Sequence, residues 1–224
     1  MDVEVIEEKG IKFSEISVEL IDHMGDDLTV ANVARVSFNK WKEEFDEKDA
    51  KLIDFLARNE HTSPFRHTSI QLRCKAPISL VRQLGKHQAG LSWNEISRRY
   101  VDEGFEFYLP RMRARAENKK QGSQEYVVEN ESLCENIIIS NTKFCMESYS
   151  ILLAHNVAPE VARNALPQNM MVDWIWTGNL LALHHLYSLR VGEGAQEEAK
   201  EFVMQMSPIV QEIFPVSWKA LTEK

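Results

Sequence analysis

Residues 68–100 read TSIQLRCKAPISLVRQLGKHQAGLSWNEISRRY. TSIQLRCKA alternates apolar and polar side chains, the period of a strand half-buried on one face. Pro77 then suits the first turn of a helix, which PISLVRQLGKHQ continues. After Gly90 the chain reads as extended again, now with almost every position polar. Strand, helix and strand thus follow one another here. Whether that unit repeats decides the fold class.

It does not repeat. Upstream, residues 3–7 and 16–22 alternate as strands. Asp26 or Asp27 offers an N-cap for the helix DLTVANVARVSF. DEKDAKLIDFLARN is a second helix ending at Asn59, and HTSPFRH is a loop. Downstream, FEFYL at 105–109 reads as a strand and RMRARAENKKQGS as a basic loop. A long helix is expected over 126–155, with Leu133, Ile137, Phe144, Ile151 and His155 in register, ended by Asn156 and Pro159. PEVARNAL is a short helix, MMVDWIWTG a strand and NLLALHHLYSLR a helix. The last helix, 195–213, contains Pro208, a potential kink. Helices and strands do not alternate regularly, so the expected class is α+β, as one domain over 1–224. The apolar faces exceed what one subunit covers, which points to an oligomer.

Composition narrows the function. A net charge of −8 argues against non-specific nucleic-acid binding. No apolar run approaches a membrane span, and the acidic MDVEVIEEKG is no signal peptide. Cys74, Cys134 and Cys145 form no CxxC, and the last two stand about 16 Å apart on one helix. A reducing cytoplasm is the expected compartment.

Candidate chemistry gathers at 82–99. On a continuous helix Arg82 and Lys86, and Gln83 and His87, are i,i+4 neighbours on one polar face. On a continuing strand Glu95, Ser97 and Arg99 point one way and Asn94, Ile96 and Arg98 the other. Cations bind phosphate, while amides, hydroxyls and a carboxylate read a base or ribose. A solvated, salt-bridged surface is the competing reading. Arg163 and Arg190 sit in apolar surroundings, where a structural ion pair competes with a ligand role. Asn179 is a helix cap or a ligand contact. His61 and His67 lack a third metal ligand, and His184 and His185 diverge by about 100° on a helix. No GxGxxG, Walker or GxSxG motif occurs.

These blocks in this order resemble the flavin-dependent thymidylate synthases: ARVSF (34–38), HTSPFRH (61–67), RQLGKHQAGLSWNEISRRY, FYLP, NKKQGS, VARNALP, WTGN, and LR followed by AQEE. The resemblance implies a mainly antiparallel sheet flanked by helices, one of them long. It implies a homotetramer with active sites where subunits meet and FAD bound non-covalently. NADPH would be the reductant and 5,10-methylenetetrahydrofolate the carbon donor for converting dUMP to dTMP without a cysteine nucleophile. By position, Gln83, Glu95, Ser97, Arg99, Arg163 and Arg190 fall on the dUMP side. Ser63, Arg66, Lys86, His87, Gln88, Asn94, Glu95, Asn179 and His185 fall on FAD positions. Arg190, Ser97 and His61 fall on catalytic positions, His61 beside the folate and flavin rings. The chain departs from the family's Arg-His-Arg core: Lys86 and Gln88 replace the arginines, and eight residues rather than seven precede Ser97. Leu181 and Gly194 replace an Arg and a His common in the family. Two further functions fit such a chain: a hydroxymethylating relative, or a nucleotide-binding regulator without redox activity.

Overall fold

The computed structural model describes residues 6–8, 10–117 and 122–223. Its central sheet has four strands, all antiparallel, in the order β3-β4-β8-β5. These are β3 (Ser17–Met24), β4 (Ser69–Pro77), β8 (Met171–Gly178) and β5 (Leu91–Glu95). Two short antiparallel pairs accompany it: β1 (Ile6–Glu8) with β2 (Ile11–Phe13), and β6 (Arg113–Arg115) with β7 (Ser123–Val127). The class is α+β, as the irregular order of elements implies.

Period two builds the sheet's inner face. Ile70, Leu72, Cys74 and Ala76 of β4 are all fully buried, and Trp174 and Trp176 of β8 nearly so. Cross-strand register sets Leu72 opposite Trp176 and Cys74 opposite Trp174. The helices α1 (Asp27–Arg35), α2 (Glu47–Arg58), α3 (Ile78–Leu84), α6 (Leu180–Val191), α7 (Glu197–Ile213) and α8 (Pro215–Thr222) contribute to the same core. Each large apolar side chain sealed there stabilises the fold by about 1.5–3 kcal/mol. A smaller cluster of Ile11, Phe13, Phe107, Ile139 and Met170 seats α4 (Glu131–Ala154). The short α5 (Pro159–Ala162) follows, continued by a 3-10 turn over Arg163–Ala165.

Several expectations are corrected. Residues 105–109 form no strand; Phe107 instead makes isolated bridges, parallel to Phe13 and antiparallel to Met170. The basic stretch 111–123 is not all loop, because Arg113 pairs with Val127 and Arg115 with Ser123. Within it, 118–121, most of NKKQGS, lie outside the described residues, as do 3–5 of the first expected strand. Tyr126 belongs to β7, so the long helix starts at Glu131. The helix PISLVRQLGKHQ stops at Leu84, where Gly85 lacks the side chain and propensity to carry it on. α7 runs through Pro208, and α8 follows it, unforeseen, with Pro215 in its first turn.

The ambiguity between Asp26 and Asp27 resolves in an unexpected way. Asp26 caps α1, accepting from Thr29 N at 2.8 Å in a capping box. Asp27 is buried and accepts from Val216 N and Ser217 N, both at 2.8 Å, at the start of α8. One dipeptide thus serves two helices at opposite ends of the chain.

The apolar register of α4 faces outward. Leu133 is 61% exposed, Ile137 58%, Phe144 68% and Ile151 58%. The period that predicts the helix is therefore not its contact with this subunit's core.

Candidate functional site

The break after α3 shapes the site. Gly85 N donates to Val81 O at 2.8 Å, Lys86 N to Gln83 O at 3.3 Å, and His87 N to Leu84 O at 2.9 Å. These bonds wind the chain tightly, so Lys86 and His87 leave the helix axis rather than extend its polar face. Gly90 then turns at φ +75°, a region other residues rarely adopt. A Cβ there would lie 2.7 Å from Asn179 Nδ2, so glycine is also required by contact. Asn179 caps α6, accepting from Ala182 N at 3.0 Å. Its own N donates to Gly90 O at 3.3 Å, which ties the 86–90 turn to the start of α6.

The far end of α6 returns to the same turn. Arg190 Nε donates to His87 Nε2 at 3.1 Å, and Nη2 lies 2.9 Å from the same nitrogen and 3.4 Å from Gln83 O. Arg190 is thus brought to Gln83 and His87, the pair expected on one helix face. Burial first, then the charges of Arg190 and His185, hold the His87 pKa below its usual value. A neutral imidazole with Nε2 free to accept follows, and the guanidinium stays charged despite its partial burial. Arg190 Nη1 makes no hydrogen bond among the described residues. Gln83 Oε1 is buried with no partner, an acceptor waiting for a donor.

Beyond Glu95 the expected alternation ends. β5 stops there, and Tyr100 N and Val101 N both donate to Ser97 O, closing a turn. Glu95, Ser97 and Arg99 therefore do not share a strand face. Glu95 accepts from Trp93 Nε1 at 3.0 Å, and Ser97 Oγ from Arg99 N at 3.3 Å. Arg98 is structural: it lies over the Phe105 ring at 4.2 Å and donates to Glu103 O at 2.8 Å. Arg99 Nε is 3.5 Å from Glu160 Oε2. Arg163 follows one helical turn after Glu160, exposed and without an ion pair among the described residues.

A third group stands on the turn after α2. Ser63 and Arg66 lie on a 3-10 turn anchored by the buried Pro64 and Phe65. His61 packs edge-on to Phe55, with ring centroids 5.7 Å apart. His185 and Asn94 are exposed. No hydrogen bond or ion pair joins this third group to the first two among the described residues. A cavity of about 330 Å³ is lined by His87, Gln88, Trp93, Glu95 and Trp176, among others. Another, of about 490 Å³, joins Gln83 to Arg113, Gly194 and Gln196. Neither Arg113 nor Gln196 is among the candidate residues of the sequence, although Arg113 lies in the basic run RMRAR and Gln196 in the AQEE block. Among the described residues no three His, Cys, Asp or Glu side chains cluster to hold a metal. None of the described helices is long and apolar enough to cross a membrane.

Residues 19–216 match the family described as thymidylate synthase complementing protein. The chain belongs to that family. Named relatives agree: a flavin-dependent thymidylate synthase of Thermus thermophilus is 37% identical over 92% of this chain and 75% of its own. One of Thermotoga neapolitana is 35% identical over 91% and 89%. Among solved structures, a UMP/dUMP methylase, PolB from Streptomyces cacaoi, bound with 5-Br dUMP, superposes with a TM-score of 0.84. It is 32% identical and covers 94% of this chain and 96% of that one. The same methylase bound with 5-Br UMP also gives 0.84, at 31% identity over 93% and 94%.

The donor set suits the flavin that the names of these relatives imply. Lys86 and Arg66 are exposed cations without ion pairs among the described residues, and Asn94, Gln88 and Ser63 add exposed amides and a hydroxyl. Such groups match a pyrophosphate and a ribityl chain.

Proposed function

We propose that this chain methylates dUMP at C5 to give dTMP, using 5,10-methylenetetrahydrofolate as carbon donor and NADPH as reductant through non-covalent FAD. The observation that carries the reading is the junction of Gln83, His87 and Arg190. An unpartnered buried acceptor and a half-free guanidinium meet there, in a chain of this family. Gln83, Glu95, Ser97, Arg99, Arg163 and Arg190 form the nucleotide side. Ser63, Arg66, Lys86, His87, Gln88, Asn94, Glu95, Asn179 and His185 would hold FAD, with His61 beside the reacting rings. FAD, when bound, supplies the hydride that turns the transferred methylene into methyl.

The chain's own residues do the rest. Arg99 and Arg163 bind the phosphate as cations. Arg190 offers Nη1 to the uracil oxygen on which negative charge grows while C5 forms its new bond, an oxyanion-type contact. Neutral His87 holds the other edge of that guanidinium in place. Ser97 orients the ring through its hydroxyl. No thiolate is needed. Burial, then Asp173, pushes the Cys74 thiol far above its usual range, which leaves it protonated and inert. Cys134 and Cys145 lie on α4.

The exposed α4 register supports self-association, and we place the complete site between subunits of a homotetramer. The group on the turn after α2, which no hydrogen bond or ion pair among the described residues joins to the others within one chain, would then be completed by a second. We read the chain as one catalytic domain working in the cytoplasm.

The test is incubation of the purified protein with dUMP, methylenetetrahydrofolate, FAD and NADPH, followed by mass analysis of the nucleotide. A methylated product is expected. A hydroxymethylated product would make this a different pyrimidine-modifying enzyme. Tight nucleotide binding with no product would make it a regulator. The solved relative described as a UMP/dUMP methylase favours one parallel arm with UMP.

A further inference from the structure

Trp93 and Glu95 are two apart on β5, so their side chains leave the same face of the strand. An indole nitrogen can only donate, and an ionised carboxylate can only accept. Trp93 Nε1 lies 3.0 Å from Glu95 Oε2. Glu95 is exposed and makes no ion pair among the described residues. A glutamate in that setting samples many rotamers, because its side chain carries high conformational entropy. Trp93 has no such freedom. Its ring stacks on Trp174 at 4.3 Å and 17°, and meets Trp176 edge-on at 5.2 Å. Trp174 in turn stacks on Phe202 of α7 at 5.7 Å and 9°. The column Trp93–Trp174–Phe202 runs from the cavity wall into the core, where Trp174 and Phe202 are at most 2% exposed. Trp93 and Glu95 both line the cavity that also touches His87 and Gln88.

We propose that Trp93 is a positioning residue for nucleotide recognition. Its indole N–H fixes one oxygen of Glu95, and the aromatic column fixes the indole. The other oxygen of Glu95 is then held as an acceptor for a donor on the nucleotide, a ring N–H or a ribose hydroxyl. This rests on the proposed reading that Glu95 contacts dUMP. A packing role alone would need the ring but not its N–H, and would be indifferent to Glu95.

Trp93→Phe keeps an aromatic ring and removes the donor. Should that variant fold poorly, benzothienylalanine at 93 keeps the bicyclic shape and replaces N–H with sulfur. Calorimetry on the FAD-loaded protein measures dUMP affinity, and thermal melting reports the fold. Loss of the donor is expected to weaken dUMP binding by about three- to tenfold. In a Glu95→Ala background the same change is expected to do nothing, since the group it positions is gone. Equal losses in both backgrounds, or no loss while Glu95→Ala alone weakens binding, overturn the positioning role and spare the reading of Glu95. No loss on Glu95→Ala overturns both, and the Arg190 and Arg163 variants then report separately on the nucleotide site.

Discussion

Arg190 and His87, 103 residues apart, share one nitrogen: Nε and Nη2 of the arginine lie 3.1 and 2.9 Å from His87 Nε2. The histidine of the Lys-His-Gln stretch and the single arginine of α6 therefore form one hydrogen-bonded unit. The contact holds one edge of the guanidinium and leaves Nη1 without a hydrogen bond among the described residues.

Arg190→Ala is expected to lower turnover far more than dUMP affinity. The proposed contact strengthens as charge builds on the ring, so its loss would cost about 2.7–4 kcal/mol in the transition state. Steady-state kinetics beside equilibrium binding separate the two. Unchanged turnover with weaker binding would make Arg190 an anchor.

The pair also predicts a pH dependence of stability. Above about pH 6.5 neither the folded nor the unfolded chain binds a proton at His87. As pH falls through that value the unfolded chain takes one up first, because the folded pKa is lowered by burial and then by Arg190 and His185. Stability at this site is therefore present at neutral pH and lost toward the lowered folded pKa. Urea midpoints of wild type and His87→Gln, compared from pH 7.5 to 5, are expected to change in favour of the variant below about pH 6.5. A constant difference would contradict this.

Replacing all three cysteines, with Cys74→Ala and Cys134 and Cys145→Ser, is expected to leave turnover intact. Filling the core position with Ala costs about 1 kcal/mol of stability. Abolished turnover in a folded protein that still binds FAD and dUMP would point to a thiol nucleophile after all.

Arg66→Ala is expected to weaken FAD binding about tenfold to a hundredfold, the worth of one charge-assisted hydrogen bond. Gln88 is neutral where the family carries a cation, and Arg66 on the neighbouring turn is unpaired among the described residues. Adding Gln88→Arg restores part of the loss if both serve one group. Strictly additive effects in the double-mutant cycle would show that the charge was not relocated.

Phe144→Asp, in the exposed register of α4, is expected to dissociate the proposed tetramer at micromolar concentration and weaken FAD binding with it. A charge in the centre of an apolar contact has no partner to offset its desolvation. Light scattering decides the matter, and an unchanged mass would remove α4 from the interface.

Much of the architecture is legible locally. Period two marks β3 and β4, aromatic content marks β8, Asn179 and Gly90 announce a cap and a turn, and the motif blocks name the family. Local chemistry also carries the Trp93–Glu95 pair, two residues apart. What the sequence leaves open concerns partners. Period four to seven makes Leu133, Ile137, Phe144 and Ile151 one face of α4, yet period does not say whether that face turns inward, and it turns outward. Alternation runs through Ser97 and Arg99 on paper, but backbone bonds to Ser97 O fold the chain there. Asp26 and Asp27 are equivalent caps by sequence. Only the packing of α8 against α1 lets Asp27 reach Val216 and Ser217, 189 and 190 residues away, while Asp26 stays with Thr29. Propensity and periodicity are short-range properties of the chain. The choice of a hydrogen-bond partner across the fold depends on which surfaces bury together, and that is a property of the whole.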